Sequence, residues 1–122
     1  MSRSGPSADV APTADVAQVY TVRIGTVDLT QGGSATLFTV PEGNNWILTD
    51  LEVTNGDADP HQLWVQLNSG SVLLAYVWRE PAAAGATTQH WEGRVALVAG
   101  EHLLCGTTGL NATFLASGWQ LG

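Results

Sequence analysis

Lysine is absent from the 122 residues, and only four arginines stand against eleven acidic residues, a formal net charge of −7 at pH 7. Nucleic-acid affinity rests on Lys and Arg neutralising phosphates, so this balance argues against DNA or RNA as a partner. Cysteine is nearly missing too. Cys105 stands alone and cannot close an internal disulfide, which leaves the redox compartment open. Set in the run Leu103-Leu104-Cys105, with no immediately flanking histidine or basic group, it reads as a small buried hydrophobe rather than a reactive thiol. No apolar run approaches the roughly 18 residues of a membrane helix, so no membrane span is expected. Arg3 is followed by no apolar h-region, so no signal peptide is expected either.

Catalytic constellations are equally sparse. The sequence has no Gly-x-Ser-x-Gly elbow, no phosphate-cradling glycine loop and no His-Glu pair with helical spacing. Its three histidines, His61, His90 and His102, fall in three segments without short metal-ligand spacing. His90 and His102, on neighbouring predicted strands, are the pair a fold could bring together. Asn55-x-Asp57-x-Asp59 resembles the opening of a calcium loop but lacks the later bidentate acid and runs into Pro60, so an Asx-type turn explains it more simply. Asp50 and Glu52 share one outward face, and only a cleft around them would make a glycosidase pair. Asn111-Ala112-Thr113 matches a glycosylation triplet, a pattern common by chance. The expectation is no enzyme, no cofactor, no metal and no catalytic residue.

What is present is period-two alternation, which sends neighbouring side chains to opposite faces of a sheet. Tyr20, Val22 and Ile24 alternate with Thr21 and Arg23. Ser34–Val40 follows the turn Gln31-Gly32-Gly33. From Trp46 to Thr54, Ile47, Thr49, Leu51 and Val53 alternate with Leu48, Asp50 and Glu52, the acids marking the wet face. The cleanest case is Leu63, Val65 and Leu67 against Gln62, Trp64 and Gln66. Asn68-Ser69-Gly70 has hairpin chemistry. Ser71–Trp78 is apolar on both faces, which predicts either a central strand or one packed against a second subunit. Pro81–Gly85 reads as a loop, and Thr87–Trp91, Arg94–Val98, His102–Cys105 and Ala112–Leu121, broken by Gly93, Ala99-Gly100 and Gly106–Gly109, complete the set. Eight or nine short antiparallel strands with turns at this interval predict an all-β sandwich, jelly-roll or immunoglobulin-like. The pattern leaves the topology open.

Residues 1–18, built from Ser, Gly, Pro, Ala and Asp, are too poor in core formers to offset their own ordering entropy. Pro6 and Pro12 also interrupt any continuous helix. They read as an extended N-terminal arm that needs a partner, with the sandwich domain spanning 19–122. Of the five tryptophans, Trp46 and Trp91 are expected to plug the core and Trp78 and Trp119 stay open. Trp64, flanked on its face by Gln62 and Gln66, should point away from the core, as an aromatic at an interface centre does. Candidate interface residues are therefore Val10, Pro12 and Val16 in the arm and Gln62, Trp64 and Gln66 on the sheet. An exposed aromatic would equally stack on a sugar ring.

Three stretches carry a resemblance: Ser34–Gly43 running into Trp46–Leu51 and Asn55, then Trp91–Glu101, and Ala116–Trp119. Together they resemble small β-sandwich virion proteins of tailed bacteriophages, especially of actinobacterial hosts, over about Tyr20 to Leu121. Trp119 departs from the tyrosine such relatives often carry after the Ser-Gly step. The resemblance implies a capsid decoration or minor capsid protein on the virion surface, bound to the major capsid protein and trimeric at threefold positions. A minor tail protein or a tail-associated glycan-binding domain is the alternative.

Overall fold

The computed structural model describes residues 22–83 and 85–121. The predicted arm, with Val10, Pro12 and Val16, lies outside the described residues. Among those described, eight strands follow one another: β1 (Val22–Leu29), β2 (Gly33–Thr39), β3 (Asn45–Asn55), β4 (His61–Ser69), β5 (Val72–Ala83), β6 (Thr87–Val98), β7 (Glu101–Thr107) and β8 (Ala112–Leu121). They form two four-stranded sheets in the orders β1-β8-β3-β6 and β2-β7-β4-β5, every pairing antiparallel. The pairs β4/β5, β3/β6, β2/β7 and β1/β8 nest like one long hairpin with its tip at Gly70-Ser71. Rolling that ribbon over itself adds the β3/β8 and β4/β7 pairings and gives the jelly roll.

Alternation accounts for the core. On β4, Leu63 and Val65 are fully buried and Leu67 nearly so, while β8 sends in Ala112, Phe114 and Ala116. Leu48, Leu51, Val53, Leu97, Leu103 and Cys105 meet them from the facing strands. Trp46 and Trp91 pack against this cluster as expected, and so does Trp78. The Trp46 ring meets Phe38 edge-on at 5.5 Å.

Four departures from the simple alternation have local causes. Leu48 is not on the wet face: it is buried, because a bulge between Leu48 and Asp50 shifts the register against both β6 and β8 and inverts the phase of β3. Thr49, at the bulge, donates its hydroxyl to Asp50 Oδ2 at 2.7 Å. On β1 a second bulge between Arg23 and Gly25 breaks the predicted phase at Ile24. Gly25 faces the Leu37 carbonyl so closely that a Cβ would collide with it, so only glycine lets β1 and β2 approach there. Gly93 does not divide β6, since the Trp91 ring lies across it. Pro81 does not end β5, which runs on to Ala83; a proline without an N–H is tolerated on an edge strand.

Strand order also decides the geography. Val22 pairs with Gly118, Leu121 with Asn45, and Ser69 with both Val72 and Glu101. The start of β1, the end of β8, and the β2–β3, β4–β5 and β6–β7 turns therefore share one end of the sandwich. Among the described residues no helix is long and apolar enough to cross a membrane.

Candidate interaction surface

Among the described residues, strand β5 is a sheet edge, paired only with β4. Of the two predictions for its doubly apolar pattern, the central strand is excluded. Val72, Leu73, Leu74 and Tyr76 are 58%, 45%, 48% and 46% exposed, a contiguous apolar stretch on both faces of a strand with one free backbone side. Monomeric proteins normally blunt such an edge with charge or cover it. Here the stretch from Ser71 to Trp78 carries no charge. Val98 and Leu121, also exposed, lie at the end of the sandwich from which β5 starts.

The neighbouring strand supplies the sheet-face candidates. Gln62, Trp64 and Gln66 do project from the outer face of β4, opposite Leu63, Val65 and Leu67. Trp64 is only half-buried, because its indole lies over Gly106 of β7, where any Cβ would strike the ring. Across the β4/β5 pairing, Trp64 is opposite Arg79 and Gln66 opposite Tyr76. The Arg79 guanidinium sits 4.8 Å above the Tyr76 ring, a cation–π contact that leaves the ring edge open. Gln66 donates to Asn68 Oδ1 at 3.1 Å. The sequence names Gln62, Trp64 and Gln66 on β4 and marks Ser71–Trp78 only by its apolar run; the structure adds that Val72, Leu74 and Tyr76 of that run are exposed.

The other candidates resolve into structural roles or open clusters. Asn55 Oδ1 accepts from the Asp57 amide at 3.1 Å, the Asx turn expected in place of a calcium loop. The Asp57 carboxylate accepts from the amides of Leu110 (3.3 Å) and Ala58 (2.8 Å) and lies 3.0 Å from His61 Nε2. The Leu110 amide is the main reason its pKa lies below the ordinary carboxylate value, helped by Ala58 and His61 and opposed by partial desolvation. That carboxylate pins the β3–β4 loop to the β7–β8 loop. Cys105 is buried, and desolvation pushes its thiol up to about 12, as expected of an inert core residue.

His90 and His102 do not meet as a pair: β6 and β7 belong to different sheets. His90 instead lies on the open face of the other sheet, its Nε2 3.2 Å from Asp50 Oδ1 and 3.5 Å from Glu92 Oε2, with Glu52 Oε2 4.0 Å from Nδ1. Donor atoms of Asp50, His90 and Glu92 fall within 4.8 Å of one another. The grouping depends on the β3/β6 register, which the sequence did not disclose. On the same face Arg94 sits 5.0 Å over the Trp119 ring. Asp50 and Glu52 thus lie beside a histidine on a sheet face.

Neither a family model nor a curated protein matches the sequence. Among solved structures, the chain is similar to a pentameric capsid protein isolated from metagenomic phage sequences. The TM-score is 0.50 at 16% identity, over 93% of this chain and 78% of that one. It is also similar, with a TM-score of 0.43 and 14% identity, to a chain of infectious bursal disease virus Gx strain, covering 83% of this chain and 32% of that one. The first likeness agrees with the strand order in assigning the jelly-roll fold.

Proposed function

We propose that this chain is a structural virion protein of a tailed bacteriophage, a capsid decoration protein that binds the assembled shell and stabilises it. The observation that carries the reading is the exposed apolar first half of β5, uncharged as far as Trp78. A fold that leaves Val72, Leu73, Leu74 and Tyr76 in water is one whose surface is completed by another polypeptide. The jelly-roll fold shared with a phage capsid protein supports the same reading, as does the lack of catalytic motifs in the sequence.

In this account the major capsid protein is the shell partner and the chain assembles as a trimer. The arm, through Val10, Pro12 and Val16, and the sheet face at Gln62, Trp64 and Gln66 share the contact with β5. Burial of apolar strand surface contributes about 25 cal/mol per Å² before the costs of association are subtracted. Main-chain pairing along a sheet edge adds affinity with little demand on sequence.

Removing residues 1–17 tests the reading, since β1 begins only at Val22. The truncated chain is expected to keep its sandwich and its far-ultraviolet spectrum but to stay in the supernatant when shells are pelleted. Co-sedimentation equal to that of the full chain would defeat the arm's role. The exposed Tyr76 and its stacked Arg79 also suit a sugar ring, which keeps a tail-associated glycan-binding domain as the second reading. Saturable binding of host cell-wall sugar by the purified chain would favour it.

A further inference from the structure

We infer that the free edge of β5 receives the N-terminal arm of a second copy of this chain, residues 8–17 adding a fifth strand to the β2-β7-β4-β5 sheet. The inference deepens the assembly reading above and rests on it for its purpose, while its geometry is independent of any shell.

Both partners are written in the residues. In the arm, Ala8, Val10, Pro12, Ala14 and Val16 share one parity, and Asp9, Ala11, Thr13, Asp15 and Ala17 share the other. That is the alternation of a strand with one apolar face. Pro12 is acceptable there because an added strand is itself an edge, with one row of amides unpaired. On the receiving side, β5 offers a backbone ladder that no other described strand pairs with on its outer side, and apolar side chains on both faces. From Ser71 to Trp78 it is also free of charge, on a chain of net charge −7, so two copies can meet along that stretch without opposing carboxylates. Arg79, exposed beside Tyr76, supplies a counter-charge for Asp9 or Asp15.

Chain length decides whose arm it is. β1 and β5 are the edges of different sheets, and because β1 packs on β2 and β5 on β6, they lie on opposite sides of the sandwich. A strand added outside β5 lies about four strand spacings of ~4.8 Å and one sheet spacing of ~10 Å from β1, or about 22 Å. The link from Ala17 to Val22 reaches only about 17 Å at full extension, and the turns at that end of the sandwich stand in its way. The arm of the same chain falls short. A neighbour's does not, because the arm leaves β1 at the end where β5 begins and can cross directly to an adjacent copy.

Disulfide trapping in the purified chain, without shells, tests this directly. Val16→Cys in one preparation and Leu74→Cys in another are unfolded, mixed, refolded together and oxidised; buried Cys105 stays out of the exchange. The expected result is a mixed disulfide joining position 16 of one chain to position 74 of another, identified by peptide mass. Its yield should exceed that from Val16→Cys with Thr88→Cys, on the other sheet, by about tenfold or more, as local concentration dictates. Three outcomes overturn the inference: a doubly substituted chain that closes only within itself, Leu74→Cys chains that link only to each other, or no mixed product with either Val16→Cys or Val10→Cys. A mixed disulfide in a protein that fails to pellet with shells would overturn the decoration reading and leave this inference standing.

Discussion

Val72→Asp together with Leu74→Asp is expected to abolish self-association and shell binding while leaving the isolated sandwich as stable as before. Both side chains are about half exposed, at 58% and 48%, and surface substitutions of this kind move stability by roughly 0.5 kcal/mol or less. In an assembly the same positions are desolvated. A buried apolar anchor is worth about 2 kcal/mol or more at an interface centre, so the pair should weaken association by about a thousandfold if their effects add. Two carboxylates on the edge also repel the next chain, the device natural edge strands use to stay solitary. Analytical ultracentrifugation and shell co-sedimentation read the loss, and urea unfolding reads the unchanged sandwich. A double variant that assembles normally would remove β5 from the contact.

Phe114→Ala is expected to have the opposite profile. Its ring is fully buried at the centre of β8, between the β1 and β3 partners Val27 and Val53. Truncating a buried phenylalanine costs about 3–5 kcal/mol, the lost transfer energy plus the cavity left behind. Against a typical total of roughly 5–15 kcal/mol, that is a large share. For a domain of about a hundred residues it should lower the melting temperature by some 15 °C or more. Whatever fraction remains folded at low temperature should still associate, because β5 is untouched. Lost association with an unchanged melting temperature would mean that the ring faces a partner and the sheet assignment is wrong.

These contrasting outcomes follow from features that differ in how openly the sequence states them. The sandwich was legible wherever the strand ladder is regular: Leu63, Val65 and Leu67 alternate with Gln62, Trp64 and Gln66, and the structure buries the first set. Alternation misled at Leu48, because the bulge before Asp50 depends on strands β6 and β8, far away in sequence. Gly93 looked like a break because a glycine in isolation cannot reveal that the Trp91 ring will cover it. Jelly-roll order was out of reach for the same reason: pairing β1 with β8 links residues about ninety positions apart. Composition marked Ser71–Trp78 as unusual without saying whether its apolar faces met a core or the solvent. That distinction depends on the strand being last in its sheet, a property of topology alone. The His90, Asp50 and Glu92 grouping needed the β3/β6 register in the same way.

The proposed mode of action, β5 presented to another polypeptide, can be read residue by residue from amide hydrogen exchange. Exchange at residues 72–78 is compared between the dispersed chain, diluted until it is monomeric, and the assembled chain bound to shells. The outward β5 amides are expected to exchange fast in the dispersed chain and to become strongly protected on binding, with the outer face of β6 from Thr88 to Ala96 little changed. Unchanged exchange along β5, with new protection gathered on β6 instead, would contradict that mode of action.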